Sequence, residues 1–105
     1  MKSHSLGDLQ HLVMVAVARL GREAYGGAVQ DELLRVAGRD ISVSSAYVTL
    51  VRLEEQGLLT SRQDARGPGE VGRPRRVFEL TEAGWEALRV AREALDRIWE
   101  GVEPA

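Results

Sequence analysis

A short helix, a glycine turn and two strands follow one another directly in the middle of this sequence. The helix is predicted over residues 42–56, with Ser42 as its N-cap and Gly57 at its end. Two strands are predicted over residues 58–63 and 75–81, and the loop between them is rich in glycine, proline and arginine. A helix followed by a basic β-hairpin is the layout of a winged helix. Such a fold can place its helix in a DNA groove and its hairpin loop on the phosphate backbone.

The distribution of charge supports this interpretation better than the net charge does. The whole chain carries 14 Lys and Arg against 16 Asp and Glu, whereas a nucleic-acid-binding domain is usually basic. Residues 62–76 nevertheless hold five arginines and two acidic residues, for a net charge of +3. Residues 77–105 hold three arginines and seven acidic residues, for a net charge of −4. The positive charge is therefore gathered in the hairpin, and its carrier is arginine, which suits bidentate contacts to phosphate or guanine.

Length and composition limit the class of protein. A chain of 105 residues fits one domain, and the absence of cysteine excludes a disulfide scaffold, a zinc finger and a thiol nucleophile. The apolar run at residues 12–18 is too short for a membrane span or a signal peptide, so we expect a cytoplasmic protein with no membrane partner. His4 and His11 are the only histidines, and no general base lies near Ser44 or Ser45 in the sequence. We therefore expect neither an enzyme, nor a metal site, nor a cofactor.

Hydrophobic periodicity predicts two further helices before residue 42. The first helix is predicted from Asp8 to Leu20, with Gly21 at its end. Its apolar face is wide, which indicates burial on more than one side. The second helix is predicted over residues 28–36 after a turn, and the side chains expected to face inward are Val29, Leu33, Val36 and Ala37.

The helix over residues 42–56 divides into two faces at 100° per residue. Its inward face is apolar and consists of Val43, Ala46, Leu50 and Leu53. Its outward face carries Ser44, Ser45, Val48 and Arg52, with Tyr47 and Thr49 on the flanks. Small polar side chains at the N-terminal end of this face suit an approach to base edges, whereas a helix meant only for solvent more often carries Glu and Lys there. We therefore expect the outward face to contact DNA, and a plain amphipathic surface helix is the alternative.

A last helix is predicted after Thr81, a suitable N-cap, and it continues to about Gly101. Glycine and apolar residues recur along it at alternating steps of four and three, as in a heptad seam. A domain of this size has little core left for so long a stripe, so we expect a homodimer through this helix with a contribution from the first helix. The expected interface consists of Leu12, Leu88, Ala91, Leu95, Ile98, Trp99 and Val102.

These patterns together predict a mainly α fold with a small β-hairpin. Residues 1–81 are expected to form a winged helix-turn-helix that binds DNA, and residues 82–105 a C-terminal dimerisation helix.

Three groups of residues, taken in order, resemble the PadR family of bacterial transcriptional regulators. The resemblance covers nearly the whole chain, from Leu6 to about Trp99. It is carried by Ala24-Tyr25-Gly26, by Ser42-x-x-Ser45-Ala-Tyr47-x-x-Leu50-x-Arg52-Leu53-Glu54-x-x-Gly57-Leu58, and by Gly72-Arg73-Pro74-Arg75-Arg76-x-Phe78-x-Leu80-Thr81-x-x-Gly84. Each group alone is weakly specific for the family, but the three groups in this order and at the spacing found in the family are strong evidence for the resemblance. The resemblance implies a dimeric winged helix that binds double-stranded DNA at a palindromic operator, usually as a repressor.

The resemblance also implies which side chains meet DNA. From the helix these are Ser44, Ser45, Tyr47 and Arg52, and from the wing they are Arg73, Arg75 and Arg76. With the outward face and the wing charge described above, the full expected set also includes Val48, Thr49 and Arg66. The family often has a proline where this chain has Val48, and more often a leucine where it has Ala46. The operator sequence therefore cannot be taken from relatives.

Alternatives remain for the ligand and for the function. The chain resembles the shorter PadR subgroup, some members of which stack flat aromatic compounds on an aromatic side chain of the last helix at the dimer interface. This sequence has Leu95 at that position, so a small aromatic effector would have to use Trp85 or Trp99, and packing is the other role for both. The rival to DNA binding is a winged-helix protein-interaction module, which the acidic pI of about 5.7 favours and the five wing arginines oppose.

Overall fold

The computed structural model of the protein describes residues 7–64 and 74–103. Its elements are the helix α1 (Asp8–Leu20), a 3-10 turn (Gly21–Glu23), the helices α2 (Gly26–Ala37) and α3 (Val43–Glu55), the strands β1 (Leu59–Asp64) and β2 (Arg75–Leu80), and the helix α4 (Glu82–Trp99). The strands pair antiparallel, with Leu59 opposite Leu80 and Asp64 opposite Arg75. The predicted mainly α fold with one β-hairpin is confirmed.

Helix capping sets the start of α3 and of α4, as the sequence predicts. The Ser42 hydroxyl accepts a hydrogen bond of 2.9 Å from the Ser45 backbone N–H. The Thr81 hydroxyl accepts one of 3.0 Å from the Gly84 N–H. Each cap satisfies a backbone donor that has no partner within the helix.

The second helix differs from the prediction at both ends. It begins at Gly26, two residues before the predicted start, because Tyr25 is already extended and serves as the N-cap residue. The prediction that Val36 and Ala37 face inward is wrong, since both are exposed while Val29 and Leu33 are buried. Val29, Leu33 and Val36 share one face by helix geometry, so the last turn of α2 extends past the core.

The core lies between α1, α2, α3 and the hairpin, with Phe78 of β2 fully buried among their side chains. The Phe78 N–H donates a hydrogen bond of 2.8 Å to the Ala24 carbonyl, which ties β2 to the connection between α1 and α2. The other large side chains that are fully buried are Val13, Met14, Val17, Val29, Leu50 and Leu53. This packing leaves one face of α3 free of the core.

The first turns of α4 pack tightly on the turn that follows α3. Thr81 donates from its hydroxyl to the Gly57 carbonyl at 2.7 Å and from its N–H to the Leu58 carbonyl at 3.1 Å. A Cβ placed on Gly84 would overlap the Leu58 carbonyl oxygen and lie 3.0 Å from Leu80 Cδ2, so only glycine fits there.

The predicted heptad seam therefore divides into two parts. Its N-terminal part serves the core of the protomer itself, where Gly84 and Leu88 are buried. Leu88, which was expected in a dimer interface, packs in that core, so little of its surface remains for a second copy. Leu12 is half-buried against the same core. The C-terminal part has exposed apolar side chains, of which Ile98 is 75% exposed.

None of the helices formed by residues 7–64 and 74–103 combines the length and apolarity needed to cross a bilayer.

Candidate nucleic-acid interface

The helix α3 has a buried face and an exposed face, and the exposed face is the candidate interface. Ala46, Leu50 and Leu53 are fully buried, as predicted, whereas Val43 at the first turn is half-exposed because it lies at the edge of the core. The exposed face carries Ser44, Ser45, Val48 and Arg52, with Tyr47 partly exposed beside them. Four of these five side chains lie in the N-terminal half of the helix, next to each other on one surface.

Thr49 does not belong to this surface. Its side chain is only 9% exposed, and its hydroxyl donates a hydrogen bond of 2.9 Å to the Ser45 carbonyl one turn earlier. A Thr inside a helix commonly makes this bond to the carbonyl one turn earlier, so the hydroxyl of Thr49 is already engaged within the helix. Thr49, which was expected to contact DNA, therefore has little accessible surface for that contact.

Ser45 combines a capping role with an outward position. Its N–H donates to the Ser42 hydroxyl, and that hydroxyl in turn donates to Ser45 Oγ at 3.1 Å. The oxygen of Ser45 is thereby an acceptor, so its own proton remains available to a further acceptor. A base edge or a phosphate presents such an acceptor.

Tyr47 joins the exposed face of α3 to the base of the hairpin. Its ring packs edge-on against Phe78, with the ring centroids 6.2 Å apart. The first residue of α2 lies against the same ring, since a Cβ on Gly26 would be 3.8 Å from Tyr47 Cβ and Cδ1. These neighbours hold the ring in place, and its hydroxyl points toward the hairpin, where Arg76 Nη1 lies 3.4 Å away.

Arg76 is engaged in a network between α3 and the hairpin. Its Nη2 donates to Glu54 Oε1 and its Nε donates to Ser61 Oγ, both at 2.8 Å. Ser61 donates from its hydroxyl to the second oxygen of Glu54, also at 2.8 Å. The hydrogen bond to the Tyr47 hydroxyl, followed by the nearby Glu54 carboxylate, raises the pKa of the Arg76 guanidinium above its ordinary value. Residue-type reasoning placed Arg76 at the DNA surface but missed its partners Glu54 and Ser61.

Arg75 points to the other side of the hairpin and stacks on Tyr25. Its guanidinium carbon lies 4.3 Å from the centre of the Tyr25 ring, a cation–π distance. Among the described side chains, Arg75 Nε is the one buried nitrogen or oxygen without a hydrogen-bond partner. Tyr25 therefore positions an arginine of the wing. The only indication of this role in the sequence is that Tyr25 belongs to one of the three groups that resemble the PadR family.

The remaining wing arginines divide between the described and undescribed residues. Arg62 forms an ion pair of 3.1 Å with Asp64 on the same strand. Arg66 and Arg73, both expected to contact DNA, lie outside the described residues.

The two tryptophans proposed for an aromatic effector occupy separate places. Trp85 lines an open cleft of about 740 Å³ between the 3-10 turn, β2 and the start of α4. Trp99 is not among the residues of that cleft, and it lies 14 residues further along α4, or about 21 Å by helix rise. The two side chains therefore cannot line one pocket within a protomer.

Several exposed apolar side chains lie near the C-terminal end of α4 and just after it. We call this group the α4 patch, and it consists of Leu95, Ile98, Trp99 and Val102, with Ala91 half-buried at its inner edge. The opposite side of α4 is charged, and Arg89 pairs there with Glu86 and, at 2.7 Å, with Glu93.

Comparison with known proteins gives the family of the chain. The model of the transcriptional regulator PadR-like family matches residues 14–90. A transcriptional regulator of Mycobacterium tuberculosis is 41% identical over 76 residues, which is 72% of this chain and 66%, or just under two thirds, of that protein.

Solved structures agree. A PadR family transcriptional regulator from Eggerthella lenta has a TM-score of 0.68 at 34% identity, covering 90% of this chain and 82% of that one. A PadR-like transcription factor from Bacteroides fragilis has a TM-score of 0.71 at 24% identity, covering 90% and 85%, and shows the shared fold. The matched family consists of transcriptional regulators rather than enzymes. The chain therefore belongs to the PadR-like family of transcriptional regulators.

Proposed function

We propose that this regulator binds double-stranded DNA sequence-specifically as a homodimer and represses transcription at a palindromic operator. The observation that carries the proposal is the exposed face of α3, where small polar side chains and Arg52 project from a helix whose other face is buried. In helix-turn-helix docking, the N-terminal residues of such a helix contact base edges in the major groove. Ser44, Ser45, Tyr47, Val48 and Arg52 are the side chains assigned to that contact.

The hairpin would supply contacts to the phosphate backbone beside the groove. Residues 62–76 carry a net charge of +3, while the C-terminal part of the chain is acidic. Arginine contacts to phosphate fix the position of a protein on the duplex but do not distinguish sequences. Arg66, Arg73 and Arg75 are assigned this role.

The α4 patch would form the homodimer interface. Its apolar side chains are exposed in a single protomer, and burying them against a second copy is favourable at roughly 25 cal/mol per Å² of apolar surface. In this division residues 1–81 bind DNA and residues 82–105 assemble the dimer. A two-fold dimer would read half-sites about 10 bp apart or a multiple of that distance.

The first test is binding to DNA from the upstream region of the gene itself, at two salt concentrations and with a scrambled-sequence competitor. If each protomer neutralises about three phosphates, the logarithm of the binding constant should fall with the logarithm of salt concentration at a slope of about −5. Binding that survives the competitor supports the proposal. Binding abolished by the competitor contradicts sequence specificity, and no binding at low salt favours a protein-interaction module.

Arg52→Ala tests the assignment of the helix. A bidentate contact to a base discriminates by about 1–3 kcal/mol, so this variant should lose operator affinity by roughly tenfold or more and non-specific affinity much less. Arg97→Ala is the matched control, because Arg97 is an exposed arginine on the charged side of α4. Equal operator affinity for Arg52→Ala and Arg97→Ala would show that α3 does not read the bases.

A further inference from the structure

The sequence predicts that the Arg76 guanidinium contacts DNA, but in the structure it is already paired with side chains of the protein itself. Two of its nitrogens donate hydrogen bonds of 2.8 Å, one to Glu54 and one to Ser61. The Ser61 hydroxyl donates to the other oxygen of the same carboxylate, so both oxygens of Glu54 face this junction between α3 and the hairpin. The cation and the anion thus neutralise each other at the edge of the candidate interface.

The ion pair is partly shielded from water. The Arg76 side chain is 40% exposed and the Glu54 side chain 25% exposed. Solvent and salt screen such a pair less than a fully exposed one, and the shared hydroxyl of Ser61 fixes its geometry. A DNA phosphate would have to displace Glu54 before it could use the whole charge of Arg76.

We propose that Glu54 is a specificity-determining residue of the DNA-binding surface. It neutralises Arg76 and so removes one phosphate contact that would be equally strong on every DNA sequence. It also holds Arg76 against the Tyr47 hydroxyl, which keeps that ring beside the exposed face of α3. Weaker sequence-independent binding raises the ratio of specific to non-specific affinity, which is the quantity that matters among many competing sites. The inference rests on the DNA-binding function proposed above.

The test compares Glu54→Gln with the parent chain on a scrambled-sequence duplex over a series of salt concentrations. The substitution keeps the shape of the side chain and removes the charge that neutralises Arg76. Non-specific affinity at low salt should rise several-fold, and the salt slope should steepen by about 0.9 per protomer, as expected for one further phosphate contact. The ratio of operator affinity to scrambled-duplex affinity should fall.

Glu55→Gln is the matched control, because Glu55 is the exposed neighbour at the same end of α3. It removes an equal charge from almost the same place but leaves Arg76 paired. A slope that changes equally in Glu54→Gln and Glu55→Gln would reflect net charge alone and would overturn the inference.

The double variant Glu54→Gln/Arg76→Gln shows which cation is released. The added slope of Glu54→Gln should disappear in it. Arg76→Gln alone gives an independent readout, because an arginine neutralised by Glu54 adds little to phosphate binding in the parent, and the salt slope should therefore flatten by much less than about 0.9 per protomer. A loss of about 0.9 in Arg76→Gln alone would make Arg76 an ordinary phosphate contact and would overturn the inference.

The two proposals fail in different ways. Binding to the scrambled duplex that does not respond to Glu54→Gln refutes the role of Glu54 and leaves DNA binding intact. A chain that binds neither duplex in any variant refutes the DNA-binding function, and the inference with it.

Discussion

The Arg19 guanidinium donates a hydrogen bond of 2.6 Å to the buried carboxylate of Glu32, and this contact joins α1 to α2. Arg35, one turn after Glu32, donates to the other carboxylate oxygen at 2.5 Å. The Glu32 side chain is only 8% exposed, whereas both arginines reach solvent. A buried carboxylate is stable in its charged form only when it is paired in this way.

Glu32 should make folding stability depend on pH. The hydrogen bonds from Arg19 and then Arg35 lower the pKa of Glu32 below its ordinary 4.5, against the opposing effect of burial. A lowered folded-state pKa stabilises the protein fully above the unfolded value, and this stabilisation is lost as the pH falls through the folded value. Glu32→Gln should therefore unfold at a lower temperature than the parent at pH 7, and the difference should shrink below pH 4.5.

Thermal melts at pH 7 and at several values below 4.5 measure this effect, with Asp31→Asn as the control on the exposed side of α2. A difference between Glu32→Gln and the parent that stays constant across the acid range would refute the role of the charge.

Gly84→Ala should destabilise the protein by about 2–3 kcal/mol, because the added methyl group would overlap the Leu58 carbonyl oxygen and force α4 away from the turn. Gly27→Ala is the matched control in the first turn of α2, where a Cβ meets the Tyr25 ring at an ordinary 3.5 Å. It should leave stability unchanged or raise it by up to about 1 kcal/mol. Urea denaturation measures the free energy of unfolding of both variants. Equal values for Gly84→Ala and Gly27→Ala would mean that the close approach at Gly84 does not matter for stability.

Arg75→Ala should weaken operator and scrambled-duplex binding alike and flatten the salt slope by about 0.9 per protomer. Arg75→Lys separates charge from stacking, because lysine keeps the charge but lacks the planar group that lies over Tyr25. Its salt slope should match the parent, while its stability should fall by roughly 0.5–1 kcal/mol. Salt titrations with both duplexes decide this, and an unchanged slope in Arg75→Ala would remove Arg75 from the backbone contacts.

Ile98→Ser should weaken self-association. Losing two Ile side chains from a two-fold interface costs roughly 3 kcal/mol, which raises the dimer dissociation constant about a hundredfold. Asp96→Ser, on the charged side of the same helix turn, is the control and should leave the constant unchanged. Sedimentation over a range of protein concentrations measures it, and a parent chain that sediments as a monomer throughout would contradict the homodimer.

Local signals predicted most of the architecture. The bounds of α1 match the prediction from Asp8 to Leu20, and the Ser42 and Thr81 caps lie where the sequence placed them. Caps, glycine ends and apolar periodicity act within one or two turns of a helix, so they can be read without knowledge of the fold. The start of α2 was missed because two glycines are poor helix formers, and tertiary packing of Gly26 on Tyr47 overrides that preference.

Contacts between distant elements, including those of Arg76 at the candidate interface, were less predictable from the sequence. No local signal in α2 marks Glu32 for burial, and only the approach of Arg19 from α1 allows it. Leu88 fits a heptad seam, yet the glycine contact at Gly84 brings its turn into the core. Arg76 is basic and lies in the wing. The residues next to it in the sequence give no indication that it forms an ion pair with Glu54, 22 positions earlier.

The close contact between Gly84 and Leu58, near the start of α4, also determines where the far end of α4 lies. The 18 residues of α4 span about 27 Å, and Gly84 fixes the direction of that rod relative to the turn that ends α3. A tilt of about 10° at this contact would displace the far end by about 5 Å, more than the 3.4 Å rise of one base pair. In the proposed dimer, two copies of α4 would be joined at their C-terminal ends. The distance between the two copies of α3 would then depend on the close contact between Gly84 and the Leu58 carbonyl oxygen. The contact at Gly84 would therefore set the spacing between half-sites that the dimer can bind. A substitution that loosens this contact would alter the accepted spacing while leaving the base contacts of each α3 unchanged.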